Sequence, residues 1–178
     1  YRGADGAAAA LSLSNELGSC FAFHGGSGRL TVQLAPHPGL TRMVGRVKVT
    51  HVSIEHARTG FAPSAEKSAP RVFRVIGWDR SSIKANGDGQ VVNGSAVLEM
   101  EGAAVDDGAL QPYVLVERAE FLVGDGAPGV QTFAVSEESL MVAPAVGWVT
   151  LEVQSNHGGS WTCLYGFRVH GDPVRAET

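Results

Sequence analysis

The sequence predicts an all-β fold, a compact antiparallel β-sandwich built by one domain over residues 1–178. Three observations lead there. Short segments of alternating apolar and polar residues recur along the chain, turn signals separate them, and no stretch carries the period of a convincing amphipathic helix. Composition agrees, since 23 Gly and 8 Pro in 178 residues supply many turns and 44% hydrophobic residues suffice for a core. Charged residues make up 18% and the net charge is −4. That balance speaks against a nucleic-acid surface, because phosphate binding needs clustered Lys and Arg. No apolar run approaches the roughly 20 residues of a membrane span, so the piece reads as soluble.

The elements follow in order. Tyr1 to Gly18, with Gly3-Ala4-Asp5-Gly6 and an alanine run after it, reads as a short helical turn or strand followed by a loop. Arg29 to Leu34 alternates as a strand with Leu30, Val32 and Leu34 on one face, and Ala35-Pro36-His37-Pro38-Gly39 ends it, because proline cannot donate to a ladder. Arg46 to Ile54 is the next strand. Val47 and Val49 share one parity and Val52 and Ile54 the other, which predicts a bulge near Thr50. Thr59 to Pro70 reads as a polar loop, and Arg71 to Trp78 as a strand buried on both sides.

Residues 82–112 hold the strongest local turn signal in the sequence. Gln90 to Leu98 surrounds an Asn93-Gly94 type I′ turn signal, and the hairpin from Gln90 to Met100 is expected to project from the sandwich. Tyr113 to Val123, Val130 to Val135 and Leu140 to Val142 supply further strands, separated by Gly124-Asp125-Gly126 and Ser136-Glu137-Glu138. Trp148 to Gln154 places Val149, Leu151 and Val153 inward, with Thr150, Glu152 and Gln154 outward. A turn cluster from Asn156 to Ser160 leads into the last strand. There Tyr165, Phe167 and Val169 share one face, with Leu164, Arg168 and His170 on the other. The two segments read as an antiparallel hairpin.

Catalytic signatures are sparse. The six histidines show no metal spacing, and the two cysteines, Cys20 and Cys163, form no Cys-x-x-Cys. Gly25-Gly26-Ser27-Gly28 misses the nucleophile elbow because Arg29 stands where its last glycine belongs. Asp106-Asp107 and Glu137-Glu138 are adjacent pairs, which point to opposite faces on a strand and are solvated in a loop. An enzyme is not expected. By themselves the cysteines are equally readable as buried free thiols or as a bonded pair.

Three blocks in order carry a family resemblance. Trp161 to Pro173 resembles the closing segment of the SUN domain, the lumenal module of inner-nuclear-membrane proteins. Gly18 to Gly28, followed by Arg29 to Leu34, looks like the segment around that domain's first cysteine. Ser53-Ile54-Glu55-His56 and then Ser68 to Gly77 are similar to its middle block, while 82–112 falls outside the likeness as an insertion. The SUN domain is a compact β-sandwich, in agreement with the residue-level reading.

The resemblance implies a non-enzymatic receptor for the C-terminal tail of KASH proteins of the outer nuclear membrane, in the perinuclear space, linking nucleus and cytoskeleton. Strand addition and capture of a terminal carboxylate would combine there. His56, Ser68, Trp161 and Tyr165 fall where the family places tail-contacting groups. Trp161 stands where the family usually has tyrosine, and an indole offers only an N–H donor and more bulk. From the residues alone, Trp161 and Tyr165 are also readable as core aromatics and His56 as a structural histidine.

In the family the two matching cysteines pair. A Cys20–Cys163 bond would close a loop 143 residues long, worth about 5 kcal/mol at most by chain entropy. The oxidising compartment suits it. The resemblance also implies a structural monovalent cation, K+ or Na+, held by the backbone carbonyls of Ala9, Ser12, Ser14, Ser19 and Tyr165, although no cofactor is required. Asn93-Gly94-Ser95 is a candidate glycosylation sequon at an exposed tip. The family's preceding lid hairpin is missing from the chain, which opens at Tyr1 and reads as a fragment with its membrane anchor outside it. Family members form trimers through an upstream coiled coil, and the heptad-free chain leaves its own oligomeric state open. The alternative is a carbohydrate-binding β-sandwich recruiting Trp78, Trp148 and Trp161 on one exposed face.

Overall fold

The computed structural model describes residues 4–12, 19–34, 43–56, 63–78, 90–92, 95–98 and 112–175. It opens with β1 (Ala4–Asp5), a 3₁₀ turn (Ala7–Leu11), β2 (Cys20–His24), β3 (Gly28–Gln33) and β4 (Met43–Glu55). Helix α1 (Pro63–Lys67), β5 (Pro70–Trp78), β6 (Gln90–Val92), β7 (Ser95–Leu98) and β8 (Tyr113–Glu120) follow. The last part holds β9 (Val130–Ala134), α2 (Glu137–Val142), β10 (Trp148–Asn156), β11 (Trp161–Leu164) and β12 (Gly166–Arg175).

One layer is a six-stranded sheet in the order β6-β7-β3-β10-β5-β8 and the other a three-stranded sheet, β12-β4-β9. A small third sheet, β1-β2-β11, contributes Phe21 and Leu164 to the same core. Among the described strands every pairing is antiparallel except β1 with β2. The predicted sandwich is therefore the observed one.

Alternation explains the core. Val149, Leu151 and Val153 lie in register with Val32, Leu30 and Gly28 on one side and with Gly77, Val75 and Phe73 on the other. Across the gap stand Val52 and Ile54 of β4 and Phe167 of β12, all buried. Phe73 and Phe133 bridge the two sheets edge-on, with ring centroids 4.9 Å apart. Each such side chain contributes about 1.5–3 kcal/mol by burial. At Gly77 a Cβ would come within 2.8 Å of Val146, so the close approach requires glycine.

The parity change in β4 has its predicted origin. His170 pairs with His51 and Gly171 with Val49, which leaves Thr50 as the extra residue of a bulge.

Four expectations are corrected. Trp148 to Gln154 forms no hairpin with the last segment. Both edges of β10 are already bonded, to β3 and to β5, so the chain leaves for other sheets. The expected last strand breaks at Tyr165, with β11 pairing β2 and β12 pairing β4, and Leu164 is buried rather than outward. Leu140 to Val142 belongs to α2, because the Ser136 hydroxyl accepts from the Ser139 N–H at 3.1 Å and Glu137 and Glu138 suit the first turn. The polar loop from Thr59 contains α1, with residues 57–62 outside the described set.

A fifth correction concerns the 82–112 segment. Its hairpin forms in the expected register, Val92 opposite Ser95, but it does not project. Strand β7 pairs with β3 through Thr31↔Leu98 and Val32↔Val97, supplying partners to the edge that β10 leaves open. Asn93, the rest of that segment and the proline cluster at 35–39 lie outside the described residues.

Candidate functional site

The small sheet carries the site. Register places Trp161 opposite His24 and Cys163 opposite Ala22, so Cys20, Ala22, His24, Trp161 and Cys163 share one face. On the other face Phe21 and Leu164 enter the core. The diagonal pair Cys20 and Cys163 is disulfide-bonded, with Cα atoms 5.7 Å apart, well inside the span a disulfide accepts.

Tyr165 packs on the disulfide and presents its ring edge-on to His56 at 5.2 Å. His56 in turn meets Phe121 at 6.3 Å. Its Nε2–H donates to the Ala65 carbonyl at 2.9 Å, and the Ser68 hydroxyl donates to the same oxygen at 2.7 Å. The Ser68 carbonyl accepts the Cys163 N–H at 2.8 Å. His56, Ser68 and Tyr165 thus converge around the end of α1 and the disulfide. Trp161 lies two residues before Cys163 on that face, 38% exposed.

Electrostatics fix the state of His56. The residue is 4% exposed, and burial holds its imidazole below the ordinary value of 6.5. The backbone carbonyls of Ala65 and Cys163 pull the other way, and His157 adds to the lowering. The neutral ring keeps its proton on Nε2, where it meets the Ala65 carbonyl.

Residues the sequence reading overlooked complete the arrangement. His24 meets Trp161 edge-on at 5.1 Å. The Asn156 amide nitrogen reaches the carbonyls of Gly159 at 2.9 Å, Trp161 at 3.1 Å and Gly25 at 3.3 Å, and its Oδ1 accepts from Gly158 at 2.9 Å. Asn156 therefore pins the turn that delivers Trp161. An asparagine two residues before a glycine is a turn signal, but nothing in the sequence names its distant partner Gly25.

The cation set assigned by resemblance fits less well. Ser14 lies outside the described residues. The Ala9 carbonyl accepts the Ser12 N–H at 3.1 Å, and the Ser12 carbonyl accepts from the Arg168 guanidinium. These two oxygens already meet protein donors, so a free ion there would share them.

The tryptophans do not gather on one exposed face. Trp148 is 4% exposed, Trp78 donates to Thr150 at 2.9 Å on the six-stranded sheet, and Trp161 belongs to the small sheet. One serine–histidine contact, Ser53 to His170 at 2.8 Å, continues to Thr132 at 2.8 Å. It forms a row across β12, β4 and β9. Among the described residues no group of three or more His, Cys, Asp or Glu is placed to hold a metal, and no helix is long and apolar enough to cross a membrane.

A family model described as Sad1/UNC-like C-terminal matches residues 1–93 and 95–173, running through the 82–112 segment with only Gly94 left out. SUN domain-containing protein 2 of Mus musculus is 27% identical over 159 residues, 88% of this chain and 16% of that protein. Klaroid protein of Drosophila melanogaster is 29% identical over 166 residues, 92% of this chain and 13% of that one. SUN domain-containing protein 3 of Homo sapiens is 30% identical over 158 residues, 88% of this chain and 33% of that one. The chain thus spans a third or less of these relatives. Among solved structures, an F5/8 type C domain from Bacteroides fragilis superposes with a TM-score of 0.51, covering 94% of this chain and 82% of its own. At 11% identity it shows the sandwich fold alone.

Proposed function

Because the chain belongs to the Sad1/UNC-like C-terminal family, that of the SUN domains, we propose that it is a non-enzymatic protein-binding domain of a nuclear-envelope bridge. It faces the perinuclear space, with the membrane anchor of its protein elsewhere, and receives the C-terminal tail of a KASH protein. Trimers of the whole protein are part of the same reading.

One observation supports this reading most: His56, Ser68 and Tyr165 converge on the disulfide, with half-exposed Trp161 on the same sheet face. A peptide crossing that face meets an aromatic surface at Trp161 and reaches the Ser68 hydroxyl at the end of α1. Swinging the Ser68 O–H from the Ala65 carbonyl to a terminal carboxylate exchanges a neutral bond worth about 1 kcal/mol for a charge-assisted one worth about 1.5–3 kcal/mol. Buried His56 and Tyr165 form the floor that holds this end in place.

The test is calorimetric titration with tail peptides, using this chain and a version extended upstream of Tyr1. A free C-terminus should bind at least about tenfold more tightly than an amidated tail or one lengthened by a residue, as loss of one charge-assisted bond requires. Ser68→Trp should lower affinity by a similar factor, and His56→Ala by less. Equal binding of free and blocked tails by the extended protein, or no binding of either, would overturn the reading.

A further inference from the structure

Arg168 lies on β12 opposite Ser53 of β4, and its guanidinium turns back onto the chain. Its side chain is only 26% exposed. Nη1 donates to the Ala10 carbonyl at 3.1 Å and to that of Phe167 at 3.2 Å, while Nη2 donates to the Ser12 carbonyl. The Glu55 carboxylate, 13% exposed, stands 3.8 Å from Nη2. One positive group is thus surrounded by three backbone oxygens and a carboxylate. That is the oxygen environment a hard monovalent cation seeks.

The chain makes room for this group. A Cβ at Gly166 would lie 2.7 Å from Glu55 Oε2 and 3.4 Å from Arg168 Nη1, so a side chain there would displace the pair. The Ala9 carbonyl is turned to the Ser12 N–H. A free cation on the Ser12 oxygen would therefore share it with a guanidinium of like sign.

We infer that Arg168 serves as the resident cation of the Ala7–Ser12 segment, so that this segment keeps its shape without a bound alkali ion. The guanidinium is covalently fixed and always charged, and its planar fork serves two carbonyls at once, Ala10 and Ser12. It also ties the first described residues to the last strand, 156 and 158 residues apart in sequence. The inference is independent of tail binding.

Thermal unfolding of the chain is to be measured in potassium, sodium and N-methyl-D-glucamine chlorides at equal ionic strength. Hydrogen exchange of the amides of residues 7–12 is followed in parallel. The midpoints should agree within about 1 °C, less than the loss of a single interaction produces, and amide protection should be the same in all three salts. Arg168→Gln should lower protection over residues 7–12 about tenfold in the N-methyl-D-glucamine salt, the effect of one lost charge-assisted bond. If the variant does not fold, the wild-type comparison decides alone. A saturable rise of the wild-type midpoint with potassium or sodium, absent in the organic salt, would overturn the inference. Unchanged protection in a folded Arg168→Gln protein would overturn it as well.

Discussion

The ring of His56 is kept neutral by its place in the fold, and this gives stability a pH dependence of known sign. Its folded-state value lies below the ordinary 6.5. As pH falls from 6.5 toward that lower value, the unfolded chain takes up a proton that the folded chain refuses, and stability is lost; above 6.5 the contribution is fully present. Urea midpoints measured at about pH 7.5 and about pH 5.5 should therefore differ, with the lower one in acid. His56→Gln should shrink that difference; an undiminished difference would assign the acid sensitivity elsewhere. At this scale the sequence was legible where family blocks or parity spoke. Thr50 sits in the bulge that switched parity demanded, and His56, Ser68 and Tyr165, which the family blocks singled out, lie close together in space. Arg168 and Asn156 were not legible in their roles. Their partners Ser12 and Gly25 lie 156 and 131 residues away, and no local pattern encodes a bond of that separation.

Among the elements, β7 changes what removal of the 82–112 segment should do. With β7 bonded to β3, deleting residues 84–108 strips β3 of that partner and leaves its edge open beside Thr31 and Val32. The core pairs of β3 with β10 remain, so the deletion product should fold, with circular dichroism close to that of the parent, yet it should self-associate through the opened edge. Light scattering coupled to size exclusion decides: a monomer at all concentrations would mean that β7 protects nothing. Element types were legible where long segments alternated, as at β3, β4 and β10, or ran apolar on both parities, as at β5. Helices α1 and α2 were missed because five or six residues are too few to display a period. The false hairpin had a different origin. Consecutive strands usually pair, but β10 had already given both its edges to strands distant in sequence.

For the molecule as a whole, alternation and turns were enough to read the sandwich, whereas the strand order was not, since registers are settled by which edges remain free. The disulfide is the longest covalent shortcut in that order. Reduction, or Cys20→Ser with Cys163→Ser, should lower stability by up to about 5 kcal/mol. A urea midpoint that stays put would mean the unfolded chain is already held together there. Cys163 sits on β11 and Cys20 on β2, which pairs with β1 on its other edge. Tension applied between the first described residues and a partner lying on the β11 face therefore has a short route. It crosses one narrow sheet, in shear, with a covalent rung across it. Strand pairing and one covalent bond thus lie together on the line between β1 and that face, like the tongue of a buckle.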